Sequence, residues 1–251
     1  MVTPYDFNEA VQQRSEFVEE RLRAGSPVVG LRYRDGLLLL SARRTQRKVF
    51  EIYDRLMMSA LGNQADIEAI RIAALDFSHQ EGFGRSPDDV TVNRIVGFAL
   101  SPGLKKAFGD SWNAPLAFRG VFAEMGISPE NDRFATLNFD GDFAFFEDFA
   151  VAAGTAAAEE AMLERLRRAG PGLSLVEAID VATETWAVGH MQAGQPDRPA
   201  DADAEETATQ PDVEAYTKEQ LSTMTLEAGV LDRTLPMEGK FRLLAPDELK
   251  R

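Results

Sequence analysis

Apolar residues recur along the chain with two periods, and the switches between them mark out its elements. Residues 8–23 place Ala10, Val11, Phe17, Val18 and Leu22 at helical spacing among charges, after an Asn8 cap and before Gly25, which predicts an amphipathic helix. Residues 28–33 and 37–41 are β-type runs joined by Arg34-Asp35-Gly36, and an Asp-Gly pair between such runs predicts a hairpin. Two further short strands are expected at residues 49–52 and 56–60. Residues 66–81 then read as a long helix with Ile67, Ile70, Ala74 and Phe77 on one stripe. Residues 89–108 read as a second helix, capped at Asp88-Asp89 and interrupted at Pro102-Gly103.

The pattern returns to strands at residues 116–124, 134–139 and 143–148, the last two joined by Asp140-Gly141, with a short apolar run over 149–153. A second helix pair follows at 156–168 and 174–191, the latter opening on Ser174 and Glu177 at capping-box spacing. Strands at 226–232 and 240–244 and a short helical tail from Pro246 close the chain. Helix pairs alternating with antiparallel hairpins predict an α+β fold, a four-layer αββα sandwich with an extra helix in front. No linker divides the pattern, so one domain over residues 1–251 is expected.

Composition narrows the class. The 251 residues are 44% hydrophobic by type with no Cys, which excludes a small stapled scaffold and removes thiolate nucleophiles and Cys-ligated metals together. A formal charge of −14 opposes binding to a phosphate backbone, so no nucleic-acid partner is expected. No apolar run approaches membrane-spanning length and the first residues do not read as a signal peptide, so a cytoplasmic protein without a membrane partner is expected. Seven of the acidic residues fall in 194–214, together with Pro196, Pro199 and Pro211, which predicts a solvated acidic loop.

Side chains that could carry chemistry are sparse. His79 and His190 are the only histidines and lie in no HExxH frame, so no metal site is expected. Gly109-Asp110-Ser111 lacks the Gly-x-Ser-x-Gly frame of a nucleophile elbow, and no Gly-rich phosphate loop is present. No cofactor is expected.

Four stretches together carry a resemblance. SPVVGLRYRDGLLLLSARR (26–44) resembles the opening hairpin of the proteasome subunit family, and RKVFEIYDRLMMSALGNQAD (47–66) the segment that follows it. FDGDFAFFEDFAVAAGTAAAEEAMLERL (139–166) is similar to the later strand pair with its Gly-led helix. SLVEAIDVATETW and LEAGVLDR are similar to the last helix and strand. The similarity covers roughly residues 28–244. The helix over 8–23, with AVQQRSEF, is closest to the α-type subunits of bacterial proteasomes, members of the Ntn-hydrolase fold class.

That resemblance implies a non-catalytic subunit of a threonine endopeptidase complex. Catalytic subunits of the family need a nucleophilic hydroxyl at a newly cut amino terminus, a Lys and a carboxylate. Here the matching hydroxyl is Ser26 after Gly25, the acid position is Ala42, and the segment that would carry the Lys is shortened. A serine enzyme self-processed at Ser26 is the competing reading, and a ring-forming homologue without a β partner is a third.

The α-type reading implies a homo-heptameric ring stacked on proteasome β subunits, protein substrates passing through its pore, and an ATPase or other ring activator docked by its C-terminal tails. Lys48 matches the family's tail-binding lysine, Gly25 and Gly62 match its small pocket positions, and Arg47 adds a second positive charge. Tyr5 and Asp6 resemble a gating pair within a gate arm over residues 1–7.

Overall fold

The structure is a computed structural model that describes residues 4–194, 213–236 and 239–249, with side chains from residue 8 onward. Among the described residues, ten strands form two antiparallel five-stranded sheets. The first sheet runs β10-β9-β2-β1-β8, built from β1 (Val28–Tyr33), β2 (Gly36–Arg43), β8 (Phe149–Ala152), β9 (Thr225–Asp232) and β10 (Phe241–Leu243). The second runs β3-β4-β5-β6-β7, built from β3 (Val49–Tyr53), β4 (Leu56–Gly62), β5 (Phe118–Glu124), β6 (Arg133–Asn138) and β7 (Phe143–Phe146).

Strand alternation explains how the layers stack. In the leucine run of β2, Leu37 and Leu39 point between the sheets toward Met57, Val121 and Phe134, whereas Leu38 and Leu40 point outward to a helix layer. A strand covered on both faces is apolar at every position, which is why GLLLL reads as a continuous run rather than an alternation. All four leucines are fully buried, each contributing on the order of 2 kcal/mol by leaving water.

Outside the first sheet lie α4 (Ala156–Arg168) and α5 (Leu175–Ala193), whose Met162, Leu166, Ala182 and Trp186 join β1, β2 and β9 in one core. Ser174 caps α5 through the expected box with Glu177. Outside the second sheet lie α2 (Gln64–Gly84), a π-helical segment (Asn93–Leu100) and α3 (Ser101–Gly109), packing Ile67, Ile95 and Leu104 against Met58 and Phe122. The four αββα layers follow.

Several local readings change. The first helix, α1, spans Pro4–Arg23, so it begins before Asn8, with proline in a first-turn position where a missing N–H is harmless. Tyr5 and Asp6 therefore lie in its first turn rather than in an arm ahead of it. Asp88 and Asp89 form a short 3-10 turn capped by Ser86, and the N–H of Val92 at the next helix start donates instead to Glu124 Oε2 at 2.8 Å. Pro102 does not end that helix. The winding passes from π to α just before it, consistent with a ring that cannot sit within an ordinary hydrogen-bond ladder. The apolar stretch 143–153 is split, β7 in one sheet and β8 in the other, with Glu147 and Asp148 at the crossing. A further helix, α6 (Val213–Gln220), takes in Glu214 from the expected acidic loop, and residues 195–212 of that loop lie outside the described residues.

Candidate functional site

Residues 44–48 carry the chain from β2 in the first sheet to β3 in the second, and Lys48 is the last residue before β3. It is half-buried, and its Nζ donates to the carbonyl of Ala60 on β4 at 3.3 Å. Burial pulls the Lys48 ammonium below the ordinary lysine range, while the Glu227 carboxylate pulls it back up. An ammonium has three N–H donors, and Ala60 takes one. Arg47 beside it is exposed.

The backbone of this corner is held by Glu227, which is 9% exposed. It stands on β9 directly across from Ser41 of β2 and reaches over to the other sheet. Its Oε1 accepts the N–H groups of Lys48 at 3.2 Å and Val49 at 3.1 Å, and its Oε2 pairs with Arg43 Nε at 2.6 Å. Nothing local in the sequence marks Glu227, because it lies 179 positions from Lys48.

Gly25 and Gly62 meet the same end of β4 that Lys48 touches. A Cβ on Gly25 would come within 2.8 Å of Leu61 Cδ1, and its N–H donates to Leu22 O at 2.8 Å to close α1. Gly62 has φ +131° and a Cβ there would lie 2.0 Å from Ala117 O. Packing within the chain thus already demands glycine at both positions. Tyr5 and Asp6 stand apart, since the helix from Tyr5 to Arg23 runs about 27 Å at 1.5 Å per residue. Their side chains lie outside the described residues.

Ser26 occupies a closed corner. Its Oγ accepts the indole N–H of Trp186 at 2.9 Å and the N–H of Ala42 at 3.3 Å. Ser41 donates its own proton to Pro27 O at 2.7 Å, so its Oγ is left to accept from Ser26 at 3.3 Å. Ser26, Ser41 and Trp186 are buried. The two histidines lie in different layers. His79 is exposed on α2 beside Tyr53, and His190 on α5 stacks on Trp186 and shares a 2.7 Å hydrogen bond with Tyr216 of α6.

Sequence reasoning also missed Arg14, which fixes α1 to the body. Its guanidinium donates to the carbonyls of Phe108 at 2.8 Å, Asn113 at 3.1 Å and Ala107 at 3.3 Å, satisfying the C-terminal end of α3. Together with buried Val18 and Leu22, it seats the front helix across both sheets.

Curated relatives align with the chain over nearly its whole length. It is 27% identical to the proteasome subunit alpha of Streptomyces coelicolor, covering 100% of this chain and 90% of that protein. It is 29% identical to the proteasome subunits alpha of Geodermatophilus obscurus (100% and 80% covered) and Kineococcus radiotolerans (98% and 96% covered). The chain is a relative of the bacterial proteasome α subunits. No family model matches it. Among the described residues of this α-type relative, no helix is long and apolar enough to cross a membrane. The front helix that first suggested the α type is in place.

Proposed function

We propose that the chain is a non-catalytic α-type subunit of a proteasome core particle. In this reading it forms the outer heptameric ring, closes the axial pore with its first residues, and receives the C-terminal tail of an ATPase or other ring activator at Lys48. The β subunits supply the threonine nucleophiles, and protein substrates enter the cytoplasmic particle through the pore.

The observation that carries the reading is Lys48 itself. A half-buried ammonium, anchored to the backbone at Ala60 and next to exposed Arg47, suits a terminal carboxylate, because a charge-assisted contact strengthens as water is excluded. The state of Ser26 supports the non-catalytic part. A nucleophile needs a free lone pair on its oxygen and a base for its proton, whereas this oxygen accepts two N–H groups inside the core and its proton faces only the hydroxyl of Ser41.

The test is co-assembly with a β subunit followed by degradation assays. Lys48→Ala should abolish activator-stimulated protein degradation and leave assembly and small-peptide cleavage intact, and unchanged stimulation would remove Lys48 from the site. Deleting residues 1–7 should raise unstimulated peptide cleavage. Intact mass should retain the first 25 residues. A mature chain starting at Ser26 would overturn the assignment in favour of a self-processed serine enzyme.

A further inference from the structure

We infer that Glu227 is a positioning residue for Lys48: through its carboxylate, the first sheet dictates where the ammonium of the second stands. The inference rests on the proposed tail-docking role of Lys48 and adds the group that makes this lysine a fixed feature rather than a mobile one.

The argument starts from the chain path. Residues 44–48 form a loop without strand pairing, and a lysine at the end of such a loop would ordinarily sweep many rotamers. Here the loop's last amide, Lys48, and the first amide of β3, Val49, both donate to one oxygen of Glu227. A carboxylate taking two backbone N–H groups locks the φ and ψ of the residue between them, and charged acceptors make the stronger hydrogen bonds. The lysine Cα is thus fixed at its backbone, while its Nζ is fixed at Ala60 O. Both ends of the side chain have a defined place before any ligand arrives, which lowers the ordering cost of binding.

Arg43 completes the arrangement. A bare carboxylate beside Lys48 would repel an incoming carboxylate and compete for the ammonium. The 2.6 Å ion pair of Arg43 with the second oxygen of Glu227 offsets that charge, so the cluster of Arg43, Glu227 and Lys48 keeps one net positive charge. Glu227 is free to serve as backbone acceptor while Lys48 keeps its attraction for an anion. Close packing around the pair supports its rigidity. Gly229, two residues along the same face of β9, has no room for a side chain, since a Cβ would meet Val49 Cγ1 at 2.8 Å.

The experiment uses the full-length chain, a pool of dye-labelled decapeptides ending in a free carboxylate, and a matched pool ending in amides, with binding read by anisotropy. The wild-type chain should prefer the free-carboxylate pool, and Lys48→Ala should lose that preference. Glu227→Ala should reduce it about tenfold, the scale of one charged hydrogen-bonding arrangement lost. Glu227→Gln, whose amide oxygen can still accept from Lys48 and Val49, should keep most of it. Hydrogen exchange at the Lys48 and Val49 amides should speed up in Glu227→Ala and not in Glu227→Gln.

If Lys48→Ala loses the preference and Glu227→Ala keeps it, the positioning role is overturned and tail docking stands. If Lys48→Ala keeps the preference, tail docking falls and the positioning role falls with it. Equal losses in the Gln and Ala variants would also overturn it, because the amide acceptor would then have made no difference.

Discussion

Ser26 and Lys48 flank the same pair of strands, yet one corner is closed and the other open. Ser26 meets Ser41 of β2, and Lys48 hangs from Glu227 of β9, the residue directly opposite Ser41 in the ladder. At the Ser26 corner the hydroxyls of Ser26 and Ser41 and the indole N–H of Trp186 have partners inside the fold and are buried. At the Lys48 corner a charge is held rigidly at its backbone but only half withdrawn from solvent. The difference separates architecture from a candidate for recognition: a saturated buried hydroxyl stabilises the core, while a pre-positioned, partly wet cation is left able to meet an anion.

The strongest way to break this contrast is through Trp186, the largest fully buried side chain and the donor to Ser26. Trp186→Ala should cost about 3–5 kcal/mol through the cavity it leaves, seen as a lower urea midpoint at unchanged slope. A loss below about 1 kcal/mol would mean that the closed corner is not structural. Ser26→Ala should cost less, about 1–3 kcal/mol, because the indole N–H is left buried without its acceptor. Like the wild type, the variant should keep its first 25 residues by intact mass, and a wild-type chain cut before Ser26 that the variant fails to cut would move Ser26 out of the structural corner.

Lys48→Met should change stability by less than about 1 kcal/mol, since it trades one hydrogen bond at a half-exposed site for an apolar chain. A loss above about 3 kcal/mol would place Lys48 in the closed corner with Ser26. The smallest effect concerns pH and sharpens the closed side. Burial first, and Arg44 second, hold the His190 imidazole below its ordinary value while it stacks on Trp186. A lowered folded-state pKa means that the unfolded chain binds the proton more readily. The stability tied to neutral His190 is therefore present above about pH 6.5 and lost as the pH falls through the lower folded value. Comparing wild type with His190→Phe between pH 8 and 5 should show the variant losing less over that interval, and parallel curves would refute the coupling.

Much of the fold was legible because each layer leaves its own period. The apolar run of β2 and the stripe of α2 needed no tertiary knowledge. The Asp35-Gly36 turn was located correctly for an incomplete reason. Gly36 is already in β2, paired with Tyr33, and does not use a positive φ. It is glycine because a Cβ would lie 1.9 Å from Leu231 O on β9, a neighbour almost 200 positions away in sequence. Gly141 does have the positive φ, +86°, that the second such turn exploits. Helix α6 escaped notice because it follows a proline-rich acidic stretch with little apolar periodicity of its own. Leu221 just past its end and its own Tyr216 gain meaning only from the helix-side core they pack against.

The candidate site was legible to a lesser degree. Lys48 could be singled out by likeness to a family, but its half-burial and its bond to Ala60 could not. Glu227, Arg43 and Arg14 offered no signal, since an acid in a strand and an arginine in a helix are ordinary residues until their partners are known. By itself the sequence determined most of the segments that are helix or strand and that β2 is covered on two faces, because those properties are local patterns of side-chain type, while the reading of Ala42 came only from the family resemblance. Only the tertiary structure decided that β7 and β8 belong to opposite sheets, that Ser26 is saturated and that Glu227 holds Lys48. Those outcomes depend on hydrogen bonds and close contacts between residues far apart in the chain, and such contacts leave no period to read.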